Sequence, residues 1–291
     1  MMKNFHIMKA IQFFSVMSIP LMLLCSCVSD GIGASGQGAA SSATGGGRGI
    51  QLSGAEANAI GRKIWQNECA GTVSGLTSWN SGEDFPSLGI GHFIWYVAGR
   101  RGPFEESFPQ LISYMKKRGV NMPGWLAGQR GSPWRSRAEF QAQVNSPQMK
   151  QLRTFLSQTV VVQTDFIVLR LERALPKMMA ATSGADQKKK LRAYFYAVAE
   201  SPTGVYALID YVNFKGEGVK SGEKYKGQGW GLRDVLLEMR GQPRGQAAAS
   251  EFSEAAKRVL QRRVRNAPSG RGESRWLPGW MNRCETYKRG V

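Results

Sequence analysis

The sequence predicts an α+β fold, mainly helical, with one small β-hairpin lobe beside the first helix. Two observations carry this expectation. Apolar residues recur at helical spacing through most of residues 51–291, and strand-like patterning is confined to the region between Leu76 and Tyr96.

Ser53 and Glu56 make an S-x-x-E capping box that opens the first helix. Ala57, Ile60 and Ile64 then repeat along one face, and Glu68 is the next step of that stripe. Leu76–Asn80 and Ser87–Tyr96 have strand character. The intervening Ser81-Gly82-Glu83-Asp84 has turn chemistry, so a hairpin is expected. Gly89 and Gly91 alternate in the returning strand and leave one face bare, open to close approach by another backbone or a ligand. Ser136 with Glu139 opens a further helix, and Ser146-Pro147 begins another that runs through Leu156. Val160–Met179 is the most apolar stretch. Asp165, Arg170, Glu172 and Arg173 interrupt it, so it reads as a central core helix and not a membrane span. Helices over Asp186–Ala199, Thr203–Val212, Leu232–Met239 and Ser250–Val264 complete the set. Gly216–Gly231 is Gly-rich but lacks Walker-type spacing, so it reads as a cleft-lining loop.

Residues 1–27 read as a lipoprotein signal peptide. Lys3 and Lys9 supply a basic start, Ala10–Leu24 is largely apolar, and Leu24-Cys25-Ser26-Cys27 resembles a bacterial lipobox. The apolar run is about 15 residues, against the roughly 20 that a spanning helix needs. A plain signal peptide or short anchor is the alternative. Resemblance to lipoproteins implies that Cys27 carries the lipid, and two or more acyl chains anchor stably. Val28 follows Cys27, which in enteric-type sorting implies the periplasmic face of the outer membrane. Residues 28–50 are Gly, Ser and Ala-rich, a flexible tether whose reach is on the order of 25 Å. Residues 51–291 are left as the folded domain.

The formal charge is +18, or about +16 once Lys3 and Lys9 are removed. Such an excess favours an anionic partner. An exported chain seldom meets nucleic acid, and the sequence has neither an aromatic-basic RNA-binding motif nor Cys/His finger spacing. Acidic polymers of the bacterial envelope are the expected partner, and nucleic acid is not. Beyond the leader only Cys69 and Cys284 remain. An even pair in an oxidising compartment suggests a disulfide. It would close a loop of about 215 residues, worth about 5 kcal/mol in chain-entropy models. Two buried free thiols are the alternative. His92 is the only histidine outside the leader, and one His with two Cys is a poor zinc set, so no metal or other cofactor is expected.

The candidate chemistry gathers around Glu68. A carboxyl carried inward on the Ile60–Ile64 stripe loses solvation, which favours the neutral form a general acid needs. A solvent-facing residue at a fraying helix end is the bland alternative. Trp79, His92, Trp95 and Tyr96 follow close by. They are candidates to bind sugar by stacking or hydrogen bonding, with ordinary core as the alternative.

These residues resemble the phage-type lysozymes, glycoside hydrolase family 24 of the lysozyme-like superfamily. A helix ends at Asn67-Glu68, a hairpin follows, and its returning strand reads Ser87-Leu88-Gly89-Ile90-Gly91-His92, where the family commonly has Thr-x-Gly-x-Gly-His. A weaker echo is Gly279-Trp280-Met281-Asn282-Arg283-Cys284-Glu285 near the C-terminus. The clear resemblance covers about 40 residues. It implies a lysozyme-like fold with the hairpin lobe beside the active-site helix, and cleavage of peptidoglycan glycan strands by a muramidase. Glu68 would be the general acid, and Ser87 would stand where the family holds its water with Thr. The family's second carboxylate has no direct counterpart, since the matching position is Ser81; Glu83 is favoured over Asp84. With Glu68 alone, the sugar's own 6-hydroxyl would attack, as in lytic transglycosylases. A non-catalytic glycan-binding lipoprotein and a Cys69/His92 peptidase are the remaining alternatives.

Overall fold

The computed structural model describes residues 49–291, of which Ile50–Val291 form one compact unit. The expected signal peptide, Cys27 and nearly all of the tether lie outside the described residues. The folded unit begins at Ile50, one residue before the expected boundary, because its backbone N–H donates to Glu172 Oε1 at 2.6 Å.

α1 (Gly54–Cys69) carries the expected capping box: Ser53 Oγ accepts from the Glu56 N–H, and Glu56 Oε2 accepts from the Ser53 N–H. Three two-residue strands follow as an antiparallel sheet in sequence order: β1 (Thr77–Ser78), β2 (Ser87–Leu88) and β3 (Phe93–Ile94). Thr77 pairs with Leu88, and Ser87 with Ile94. The hairpin is therefore present with an extra strand, but Ser87–Tyr96 is not one strand. The chain turns after Leu88, with Gly89 at φ 70° and His92 at φ 45°.

The remainder is helical: α2 (Phe108–Lys117), α3 (Gly124–Ala127), α4 (Arg137–Ala142), α5 (Pro147–Gln158), α6 (Val160–Ala180), α7 (Ala185–Val198) and α8 (Pro202–Lys215). A small ribbon of β4 (Lys224–Tyr225) and β5 (Gln228–Gly229) interrupts the Gly-rich loop. Then come α9 (Leu232–Glu238), α10 (Gly245–Asn266) and α11 (Leu277–Glu285). The chain is thus mostly helical with a small antiparallel sheet, as expected for α+β. The Ser136–Glu139 box is only half formed, because Glu139 Oε2 takes the Arg135 N–H instead of reaching back to Ser136. α2 and α11 escaped the sequence reading because Pro109 and the Pro278-Gly279 pair look like breakers. Each proline sits in a first helical turn, where its missing N–H costs nothing.

α6 is the central core helix that its composition predicts. It packs against α2 and against α1, α7 and α8. α10 covers α7, α8, α9 and α11. Ile60 and Ile64 on α1 are buried, each worth about 1.5–3 kcal/mol of apolar transfer. No helix among the described residues is long and apolar enough to cross a membrane.

Candidate active site

Glu68 owes its position to how closely α1 lies on α6. A Cβ on Gly61 would sit 2.4 Å from Thr164 Oγ1 and 2.6 Å from Val160 Cγ1, so only glycine allows that approach. The last turn of α1 then emerges between the sheet lobe and the helices α8 and α11. The stripe does not carry Glu68 inward as expected. Cys69 takes the buried place and Glu68 lies at the rim, its side chain 25 % exposed.

Two groups face that carboxylate. Arg283 of α11 donates through Nη2 to Glu68 Oε1 at 3.2 Å, and His92 Nδ1 lies 3.8 Å from Oε2. Arg283 is mainly engaged elsewhere. Its Nε and Nη2 donate to Asp210 Oδ2 and Oδ1, both at 2.7 Å, a bidentate pair. Tyr287 Oη donates to Asp210 Oδ2 at 2.6 Å, and Asn67 Nδ2 reaches Tyr206 Oη at 2.6 Å and Asp210 Oδ1 at 3.4 Å. Burial alone would lower the Arg283 pKa, but the Asp210 charge and hydrogen bonds outweigh it and hold it above its ordinary value. Burial pushes Tyr206 up to about 12 and Tyr287 well above the usual phenol range, with the Asp210 charge adding to both. A permanently charged guanidinium is thereby clamped beside Glu68 by a carboxylate that is only 3 % exposed.

On the other side, the turn after β2 presents His92. Gly89 is required there twice over: its φ is 70°, and a Cβ would meet Gln163 Oε1 at 2.4 Å. That same oxygen accepts the Ile90 N–H at 3.0 Å, tying the turn to α6. The bare face that the glycines leave is thus used by an α6 side chain. His92 Nε2 lies 3.5 Å from Cys69 Sγ. Burial lowers the His92 pKa, against the opposing pull of the Glu68 charge.

Cys69, His92 and Glu68 so lie in the order of a thiol protease triad, but the chemistry runs the wrong way. Burial, and then the Glu68 charge, push the Cys69 thiol up to about 12. The C-terminal end of a helix further disfavours a thiolate. The expected disulfide is corrected as well: Cys69 and Cys284 are both free and buried. Cys284 therefore makes no bond to Cys69. Its surroundings are instead the core under α10, where Ser253 Oγ donates to the Cys284 carbonyl at 2.7 Å.

The other expected residues do not join Glu68. Glu83 is half-buried and its Oε2 accepts from Asn80 Nδ2 at 3.2 Å; burial raises its pKa. Asp84 is exposed, and neither carboxylate makes a hydrogen bond or ion pair with Glu68, His92 or Arg283. Ser87 is buried in β2. Trp79, Trp95 and Tyr96 are corrected to core: all three are buried, Trp79 donating to the Glu83 carbonyl at 2.7 Å and Trp95 packing on Phe108 and Trp134. Rings enclosed in this way present no face to a sugar. Sequence reasoning missed Asp210, Tyr206 and Tyr287. The one available signal was a lone carboxylate, Asp210, in the apolar run Val205–Tyr211. Among the described residues no cluster of His, Cys, Asp or Glu suits a metal ion. A depression of about 640 Å³ lined by Arg100, Arg130 and Arg135 contains none of the Glu68 group.

Compared with known proteins, the chain matches no protein-family model, no curated protein and no solved structure.

Proposed function

We propose that this protein is a lysozyme-like muramidase that cleaves peptidoglycan glycan strands, with Glu68 as general acid. The observation that carries it is a partly exposed carboxylate at a helix end, faced by the GIGH turn through His92 and by Arg283. These are the segments on which the resemblance to phage-type lysozymes rests. A lipid anchor at Cys27 and a flexible tether would hold the enzyme in the bacterial envelope, at the outer membrane facing the periplasm. The charge of about +16 left once Lys3 and Lys9 are removed suits an acidic wall polymer.

A general acid contributes about 10²–10⁴-fold. Glu68→Gln keeps the shape and removes the transferable proton, so lysis of purified peptidoglycan should fall by about that factor. Equal activity in both proteins would overturn Glu68 as the acid, and none in either would leave a glycan-binding lipoprotein as the reading.

One feature favours a second reading of the same site. Asp210 is saturated by Arg283 and Tyr287, and Glu83 and Asp84 stand apart, so Glu68 has no carboxylate partner to activate water. Attack by the sugar's own 6-hydroxyl needs none. Product mass separates the two: the transglycosylase product is lighter than the hydrolysis product by one water.

A further inference from the structure

Between residues 97 and 157 the chain carries ten Lys and Arg against three Asp and Glu. Of those ten, only Arg118 is in an ion pair among the described residues. The later helices behave differently: Arg233, Arg244, Arg258, Arg262, Arg263 and Arg283 are each held by a carboxylate. A large share of the charge that no carboxylate offsets therefore lies on this one stretch.

Three of its cations meet at one place. Arg100 follows β3, and Arg130 and Arg135 lie between α3 and α4; all three line the depression of about 640 Å³. The two loops that bear them are fastened backbone to backbone. Val97 and Ser132 form a parallel bridge, and the Ser132 N–H donates to the Tyr96 carbonyl at 2.8 Å. A Cβ on Gly131 would lie 2.5 Å from the Ala98 nitrogen, so this close approach needs glycine. Glu139 takes the Arg135 backbone N–H at 2.9 Å, and among the described residues no carboxylate pairs with any of the three guanidinium groups. A single exposed arginine is hydrated and needs no partner. A concave surface lined by one sign of charge is different, because it focuses the field and raises the local concentration of anions. Its volume falls within the range of about 300–1,000 Å³ usual for ligand sites.

We propose that this depression binds a phosphate monoester carried on a larger polar body. Guanidinium forks match phosphate oxygens in bidentate geometry. A phosphomonoester brings a charge of about −1.5 to −2 and three acceptor oxygens, which suits three cations better than the single charge of a carboxylate. No lining residue belongs to the Glu68 group, so the inference is independent of the glycan-cleaving reading.

Isothermal titration of the full-length protein in nonionic detergent tests this. The probes are glucose 1-phosphate against glucose, and soluble dihexanoyl phosphatidic acid against dihexanoyl phosphatidylcholine. Wild type should bind at least one of the two monoesters tenfold or more tightly than its counterpart. Preference for glucose 1-phosphate assigns a sugar phosphate, and preference for phosphatidic acid alone assigns a lipid headgroup. Replacing Arg100, Arg130 and Arg135 together by Gln should lower monoester affinity by about tenfold to a hundredfold, the range for charge-assisted hydrogen bonds. All three side chains are exposed, so this variant should melt as wild type does. Replacing Lys188, Lys189 and Arg192 together by Gln removes the same charge from α7 and should leave the affinity unchanged. No discrimination by wild type in either pair of probes overturns the site. Equal losses in the two triple variants overturn it as well, since net charge alone then explains the binding.

Discussion

Replacing Asp210 by Asn should expose how much the folded state depends on the clamp behind Glu68. The substitution is nearly isosteric but removes the charge that holds Arg283 at two 2.7 Å contacts and accepts from Tyr287 at 2.6 Å. Removing one partner of a buried pair costs about 3–5 kcal/mol, because the other charge is left uncompensated. Arg283 keeps Glu68 as a second partner and its side chain is 31 % exposed, so the low end, about 3 kcal/mol, is expected. For a domain of this size each kcal/mol shifts the melting temperature by about 2–4 °C, giving a fall of about 6–12 °C by circular dichroism. A double variant with Arg283→Met removes the stranded charge and should recover part of the loss. A loss under about 1 kcal/mol, or a double variant less stable than Asp210→Asn, would refute the argument that Asp210 serves chiefly to compensate Arg283. If Glu68 is the proposed acid, activity gives a second readout: freed from Asp210, Arg283 can pair fully with the Glu68 carboxyl and compete with substrate for it, so lysis should fall even where Asp210→Asn remains folded.

Other consequences concern the turn, the thiols and pH. Gly89→Ala forces a Cβ onto a backbone at φ 70° and into Gln163, so a loss of about 1–3 kcal/mol is expected in urea unfolding. Peptide mapping without reductant should recover Cys69 and Cys284 as separate free thiols, and a linked peptide would contradict the packing of α11. The folded-state pKa of His92 is lowered from 6.5, so the unfolded chain takes up its proton first as the pH falls. Its contribution to stability is therefore present above about 6.5 and lost as the pH falls toward the folded value. His92→Asn, which tolerates the left-handed backbone, should flatten the dependence of melting temperature on pH between about 7 and 5. An unchanged slope would assign that dependence to other groups.

Much of the scaffold was legible in the sequence because it depends on local terms. The Ser53–Glu56 box, the apolar period of α1 and α6, and the placement of strands near Leu76–Tyr96 follow from capping, periodicity and turn chemistry within a few residues. Glu68 stood out for the same reason: it ends an amphipathic helix just before a glycine-rich turn. Local patterns do not report which side of a helix end meets which distant segment. Whether Glu68 is inside or at the rim turned on the Gly61 contact with α6, about a hundred residues away in sequence. The aromatic residues expected to meet sugar were claimed by the core, because Trp79, Trp95 and Tyr96 found partners in Phe140, Phe108 and Phe85.

The sequence by itself determined the mainly helical class, the hairpin beside α1 and the candidate acid. Only the tertiary structure decided what surrounds that acid. Arg283 lies 215 positions from Glu68 and Asp210 lies 73 from Arg283, so their association depends on α8 and α11 closing on the end of α1. The packed chain likewise keeps Cys69 and Cys284 as separate free thiols and pairs Glu83 with Asn80 inside its own turn. Charge pairing over such separations is written in no local pattern; packing creates it, and the desolvation of each buried ion makes it selective.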